Sequence, residues 1–307
     1  MASSSLALVF AAALWPTAPL IAMVRLRYLP FVFVALLWCA GSVADAEQDG
    51  LGLVTETWGR YRRVNTEREE SEILIVSAPQ AAGFSRAETE AMAREARSGV
   101  IHKRAVRHVL YAPDGHDKIH LLFSLPADDA GLGLLVWRQT AGAQDDMWLF
   151  MPGYRAVRRI PVSSKQRLAG TDLLYEDVRE LAGERTDRFT YKIVAAEPVD
   201  GRAADVIVAT PKAGTESAYS SRKIWVDKEW LFPLKIEFYD SQGSVWKVLR
   251  NTEIHEVAPG VRRADLAEMR DLQLKECTLL LVTKRSVGSE IPAQVFTEDY
   301  LVHPGAD

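Results

Sequence analysis

Three acidic side chains, Asp172, Glu176 and Asp177, follow a glycine turn at Gly170, close enough together for paired carboxylates to do general acid/base work. No nucleophile, glycine-rich phosphate cradle, GxSxG or HExxH pattern accompanies them, so a structural role is the better reading and a hydrolase carries little weight. Just upstream, Arg155, Arg158 and Arg159 form a basic cluster, a pattern whose commonest fate is a solvated strand face. His102, His108, His116 and His120 raise the question of a metal site. His108 and His120 would face each other across a hairpin, but no carboxylate or cysteine stands at a recognised ligand spacing, and surface histidines are the expectation. Neither a metal nor a cofactor is expected. Cys277 is the one cysteine beyond Cys39, which rules out a CxxC redox pair, and its apolar neighbours Leu279 to Val282 argue for a buried, inert thiol.

The acids and the arginines sit in one stretch, Asp145 to Val178, around which the chain is organised. It opens as a strand, Trp148 and Phe150 alternating with Met147, Leu149 and Met151, so both faces are apolar and both need cover. Pro152-Gly153 stops that run, a short basic strand follows to Ile160, and a polar connection with Ser163, Ser164 and Lys165 leads to Gly170. Before this stretch, Gly50 to Arg63 reads as a short helix, Glu72 to Val76 as a short strand and Ala78 to Gly83 as a loop. Ser85 and Glu88 stand at capping-box spacing and predict a helix over Ser85 to Arg97 that lies on a sheet. Arg104 to Tyr111 and Lys118 to Leu125 flank a hairpin turn at Ala112-Pro113-Asp114-Gly115, and Gly133 to Gln139 is a further strand. Beyond the organising stretch, strands are predicted at Arg185 to Ala195, Ala204 to Thr210, Ser221 to Val226, Leu234 to Tyr239, Ser244 to Ile254, Glu268 to Lys275 and Leu279 to Lys284. Strands so regularly spaced, with almost no helix between them, predict one antiparallel meander. Several are too apolar on both faces for a flat sheet open to water, so the sheet should curl.

The start of the chain sets the compartment. Arg25 and Arg27, the apolar run Tyr28 to Trp38 and the small-x-small site Ala44-Asp45-Ala46 predict a signal peptide over residues 1–46, cleaved before Glu47, with Met23 as an alternative initiator. Trp38 stands where a lipobox needs a small residue, which argues against lipidation at Cys39. No apolar run of about 18 residues follows Ala46, so the exported protein is expected to be soluble. With 37 basic against 41 acidic side chains the chain is mildly acidic and has no basic excess that would suit nucleic acid, so no nucleic-acid partner is expected. Residues 47–307 carry no repeat or low-complexity linker and are read as a single domain.

The apolar strand ending at Pro152, Arg158-Arg159-Ile160, Gly170-Thr171-Asp172 and Tyr175-Glu176-Asp177 together resemble the signature of the LolA-like outer-membrane lipoprotein-sorting protein family. Leu121 to Trp137, with Pro126, Gly131 and Gly133, resembles the segment that precedes this signature. Lys223 to Gly243 resembles the family's paired strands, and Ile291-Pro292 with Phe296 and Leu301 its closing segment. The resemblance covers roughly Arg104 to Leu301 and is poorest over Arg68 to Gly83, read as an insertion or a departure in the lid. It implies a mainly β (α+β) fold: a strongly curved antiparallel sheet forming an incomplete β-barrel, with helices covering its concave apolar face. It also implies a periplasmic carrier, not an enzyme, that takes a lipid or the acyl chains of a lipoprotein from a membrane donor to an outer-membrane acceptor.

Burying an acyl chain gains about 0.8 kcal/mol per methylene, on the order of 12 kcal/mol gross for a 16-carbon chain. A carrier therefore needs a large apolar concavity and a cover that moves. Trp148, Phe150, Leu234, Ile236 and Phe238 are the candidate lining residues, against the alternative that they fill an ordinary core. Arg155, Arg158 and Arg159 gain two further readings, contact with a lipid headgroup or hydrogen bonds to lid carbonyls. A periplasmic sensor that binds lipid or lipoprotein and touches a membrane regulator is the alternative function on the same fold.

Overall fold

A computed structural model describes residues 49–77, 83–95, 97–140, 143–161, 164–180 and 183–305. The expected leader and most of the expected loop at Ala78 to Gly83 lie outside these residues. The strands are β1 (Thr66–Ser77), β2 (Ile101–Leu110), β3 (Lys118–Leu125), β4 (Gly133–Trp137), β5 (Asp146–Met151), β6 (Ala156–Arg159), β7 (Phe189–Val199), β8 (Arg202–Pro211), β9 (Ser221–Asp227), β10 (Pro233–Tyr239), β11 (Val245–Ala258), β12 (Val261–Asp271) and β13 (Glu276–Val287). They form one 13-stranded sheet in the order β6-β5-β4-β3-β2-β1-β13-β12-β11-β10-β9-β8-β7, every pair antiparallel. The sheet is not closed, because β6 and β7 are its two edges.

The meander thus has two arms joined where the first and last strands pair. That places β1 at the centre of the sheet, so the part of Arg68 to Gly83 that is described, read as an insertion or a departure in the lid, holds a central strand instead: Arg68 to Ile75 pairs with β2 on one side and Arg68 to Ser77 with β13 on the other. Its charges hid it: Glu67 and Glu69 face inward, and their arginine partners come from strands remote in sequence.

Two helices cover the inner face. Residues 49–61 form α1, whose Val54 and Trp58 pack with Leu174, Phe189 and Tyr191, and Tyr175–Glu180 forms α3 within the segment that crosses from β6 to β7. The other two lie on the outer face, which narrows the expectation that the helices cover the concave side. Helix α2 (Arg86–Arg94), started by the predicted Ser85–Glu88 capping box, packs Met92 on Leu74, Val76, Cys277 and Leu279. The C-terminal helix α4 (Glu298–Val302) sets Leu301 against Leu135 and Phe150, and a Cβ at Gly133 would lie 2.6 Å from the Leu301 side chain. Cys277 is buried, and burial pushes its thiol well above the usual range, which fits an inert residue.

His108 and His120 do face each other across the β2–β3 ladder, with ring centroids 5.7 Å apart. His108 is half-buried, and His120 is not a surface residue. His120 is buried against the Tyr300 ring, and neither of its ring nitrogens has a partner. Among the described residues no group of three or more His, Cys, Asp or Glu is arranged to hold a metal. Burial drives both imidazoles down from 6.5 to about 4, with Arg68 adding to the effect at His108 and His108 adding to it at His120. A depressed histidine pKa stabilises the fold fully above 6.5, and that contribution is lost as pH falls through 4. Denaturation midpoints compared at pH 7.5 and 4.5 should fall on acidification, and His120→Phe should shrink the difference. An unchanged pH dependence in that variant would remove the pair as its source.

Candidate functional site: an apolar cavity under α1 and the crossing segment

Side chains from β1, β2, β3, β10, β11, β12 and β13 line one cavity, so strands several places apart in the sheet converge and the sheet is strongly curled. The cavity volume is about 160 Å³. Ile73, Ala105, Leu121, Phe123, Ile236 and Leu280 form much of its wall, and Trp58 and Tyr61 of α1 close one side. Leu168, Leu173 and Val178 of the crossing segment close another. It is smaller than the pockets of about 300–1,000 Å³ that bury drug-sized ligands.

The signature acids hold the crossing segment in place. Glu176 accepts from the Ser217 hydroxyl at 2.7 Å and the Ala218 N–H at 2.6 Å. Asp177 accepts from the Tyr219 hydroxyl at 2.8 Å and the Leu174 N–H at 2.8 Å. Asp172 accepts from the Thr278 hydroxyl at 2.8 Å, while the buried Lys247 ammonium donates to the Asp172 carbonyl at 2.6 Å. Burial raises the Asp172 and Asp177 pKa values, against the pull of Thr278 and Arg167 on the first and of Lys247 on the second. These carboxylates are spent on anchoring, which is the structural role their sequence context favours. Gly170, at φ +73°, makes the turn that delivers Asp172 to β13.

One end of the cavity is polar. On the inner face of β1, Glu69 lies directly between Arg107 of β2 and Arg285 of β13. It accepts from Arg107 Nη2 at 2.6 Å and from Arg285 Nε at 2.8 Å. Burial raises its pKa, but the two guanidiniums outweigh burial and hold it at about 2. Beside it, Glu67 accepts from the Tyr111 hydroxyl and Arg263 Nε, both at 3.0 Å. Arg263 stacks 3.4 Å from the Tyr61 ring centroid and donates from Nη2 to the Tyr61 carbonyl at 2.8 Å, tying the C-terminal end of α1 to the sheet.

The five residues predicted to line the cavity are not brought together. Ile236 lines it, and Phe238 lies in the same inner core, 4.7 Å from Tyr219 by ring centroids. Leu234 packs with Ala204, Val206 and Trp225 in a separate cluster, because the β9–β10 register shifts between Pro233 and Lys235 and breaks the simple alternation. Trp148 and Phe150 face the C-terminal segment on the outer side, and Met147 and Leu149 of β5 take the inner face. Arg155, Arg158 and Arg159 are exposed near the β6 edge, Arg159 paired with Asp146. Arg107, Arg263, Arg285 and Glu69 are the charged residues of the cavity wall, and the sequence singled out none of them, since their pairing is wholly between strands.

A protein-family model described as an uncharacterized protein matches residues 115–303. The chain belongs to that family. Its fold is that of the LolA-like outer-membrane lipoprotein-sorting proteins. A domain from Vibrio parahaemolyticus assigned to outer-membrane lipoprotein sorting superposes with a TM-score of 0.72 at 22% identity, covering 83% of this chain and 99% of that one. A DUF1329 family protein from Desulfovibrio piger gives 0.67 at 23% identity, with 81% and 98% covered. A LolA superfamily protein from Nitrosomonas europaea gives 0.56 at 19% identity, with 80% and 98% covered. No curated protein matches the chain. Within the family fold, α1 sits tightly: Gly50 leaves room for the Tyr191 carbonyl, and Gly183, at φ +119°, leaves room for the Trp58 indole. Gly183→Ala should displace Trp58 and cost about 1–3 kcal/mol, read as faster hydrogen exchange in α1; unchanged exchange there would mean that α1 does not depend on this contact.

Proposed function

We propose that this protein is a periplasmic carrier that binds a lipid or the acyl chains of a lipoprotein non-covalently and delivers it toward the outer membrane. The observation that carries the reading is the cavity: it is walled by apolar side chains on the inner face of a curled, open sheet and closed by α1 and the crossing segment. The fold relationship to lipoprotein-sorting proteins supports the same class of cargo. Loading requires enlargement, and α1 is the element to move, since it holds the sheet through the Arg263–Tyr61 contacts and Trp58. Export through a signal peptide over residues 1–46 fits this compartment, and among the described residues no helix is long and apolar enough to cross a membrane. Function is binding and release, with no catalytic step, no metal and no cofactor; donor and acceptor proteins in the two membranes are its expected partners. A soluble carrier supplies no energy, so transfer runs toward the site that binds the cargo more tightly.

Native mass spectrometry of protein purified gently from the periplasm tests the reading. A stoichiometric lipid or acylated peptide is expected. Protein that is empty, and stays empty when offered lipid and lipoprotein without detergent, would reduce the cavity to a packing defect.

A further inference from the structure

The inner face of β1 changes character along its length: Glu67 and Glu69 at one end, then Ser71, then Ile73. Its neighbours change in step. Arg107 and Arg285 stand opposite Glu69, whereas Ala105 lies opposite Ser71 and Leu280 opposite Ile73. The cavity is therefore amphipathic in one direction. A container for hydrocarbon alone gains nothing from guanidinium groups in its wall, because each is costly to strip of water.

The hydrogen bonds of these guanidiniums show which one is uncommitted. Arg285 donates from Nε to Glu69, from Nη1 to Asp265 and from Nη2 to the Ala264 carbonyl. Arg263 donates from Nε to Glu67, from Nη1 to the Arg262 carbonyl and from Nη2 to the Tyr61 carbonyl. Arg107 places Nε and Nη2 on Glu69 at 2.8 and 2.6 Å, but its Nη1 is buried without a partner. A buried donor left unpaired costs about 1–3 kcal/mol, more for a charged group. The charge count agrees: three guanidiniums surround Glu67 and Glu69, while the remaining acid, Asp265, lies off the cavity wall and is shared with Arg86 at 3.7 Å.

Resting on the acyl-binding reading above, we infer that Arg107 Nη1 donates to an acceptor oxygen at the head of the bound acyl chain, a carboxylate or ester oxygen, with the hydrocarbon running toward Ile73 and Leu280. Arg107 thereby sets which amphiphiles are taken and which way round they lie. A guanidinium has only donors to offer, so the complementary group is an oxygen acceptor and not a cationic head or one without an acceptor oxygen.

The test is displacement of N-phenyl-1-naphthylamine from delipidated protein by palmitic acid, methyl palmitate and hexadecane, in the wild type and in Arg107→Met. The acid, the ester or both should bind about tenfold more weakly to Arg107→Met, the loss of one charge-assisted hydrogen bond, with hexadecane unchanged. A loss confined to the acid identifies a free carboxylate as the head; a loss shared by acid and ester identifies an acyl ester, as in a lipid or lipoprotein. Equal losses for all three ligands, or none, would overturn the inference. A wild type that binds none of the three would overturn the cavity reading itself. Should Arg107→Met fail to fold, the infrared carbonyl band of isotope-labelled palmitate bound to the wild type decides the matter. A band shifted from its position in hydrocarbon solvent supports the hydrogen bond, and an unshifted one overturns it.

Discussion

Ile236→Glu is expected to abolish ligand retention. Ile236 is buried, lines the cavity and has no cation opposite it, with Leu249 as its β11 partner, so the new carboxyl would be a buried polar group without a partner where an acyl chain should lie. Phe238→Glu is a worse probe, because Phe238 packs against Tyr219 inside the core and a charge there should unfold the domain before it tests binding. Because Ile236→Glu also costs stability, Ala267→Phe is its companion: it occupies the cavity with an apolar ring and adds no charge. Trp148→Ala, on the outer face, is the control and should retain ligand. In native mass spectra, ligand should disappear from the two cavity variants and persist in the control. Stoichiometric ligand on folded Ala267→Phe would move the binding site elsewhere.

Glu67→Gln is expected to give the largest loss of stability. Glu67 is 1% exposed and meets Arg263, itself 2% exposed, through Nε and through Nη2 at 2.9 Å; it also accepts from the Tyr111 hydroxyl and lies 3.2 Å from Arg285 Nε. Removing its charge strands a buried guanidinium, which costs about 3–5 kcal/mol, whereas the intact pair itself contributes little net stability over an apolar pair. For a domain of this size that corresponds to a fall in Tm on the order of 10 °C. Adding Arg263→Met should recover much of the loss, since the guanidinium that Glu67→Gln strands is then gone. Urea denaturation of the two singles and the double decides it: a Glu67→Gln loss under about 1 kcal/mol would mean the cluster is solvated like a surface pair. The same cluster binds α1 through Tyr61, so Glu67→Gln should also loosen the cover.

Much of the architecture was legible in local patterns. The Ser85–Glu88 capping box, the Ala112 to Gly115 turn and the period-two runs of β3, β9 and β10 are decided within a few residues of chain, so the sequence shows them directly. The Gly170, Asp172 and Tyr175-Glu176-Asp177 pattern likewise marked the segment that now roofs the cavity, although its hydrogen-bond partners Ser217, Tyr219 and Thr278 could not be read from it. Strand β1 was only half legible: Ile73 to Val76 reads as a strand, but Glu67 to Glu72 reads as polar surface until Arg107, Arg263 and Arg285 arrive from other strands to neutralise it.

By itself the sequence determined that this chain builds antiparallel strands and where most of them turn. Those properties follow from backbone conformation and hydrophobic period, which are local. Only the tertiary structure decided which face each strand turns inward, because a single register shift at Leu234 or the docking of α4 on Trp148 and Phe150 reassigns a side chain without altering the pattern. It also decided that the cavity has a charged end, since Arg107, Glu69 and Arg285 become neighbours only through strand pairing across nearly the whole length of the chain.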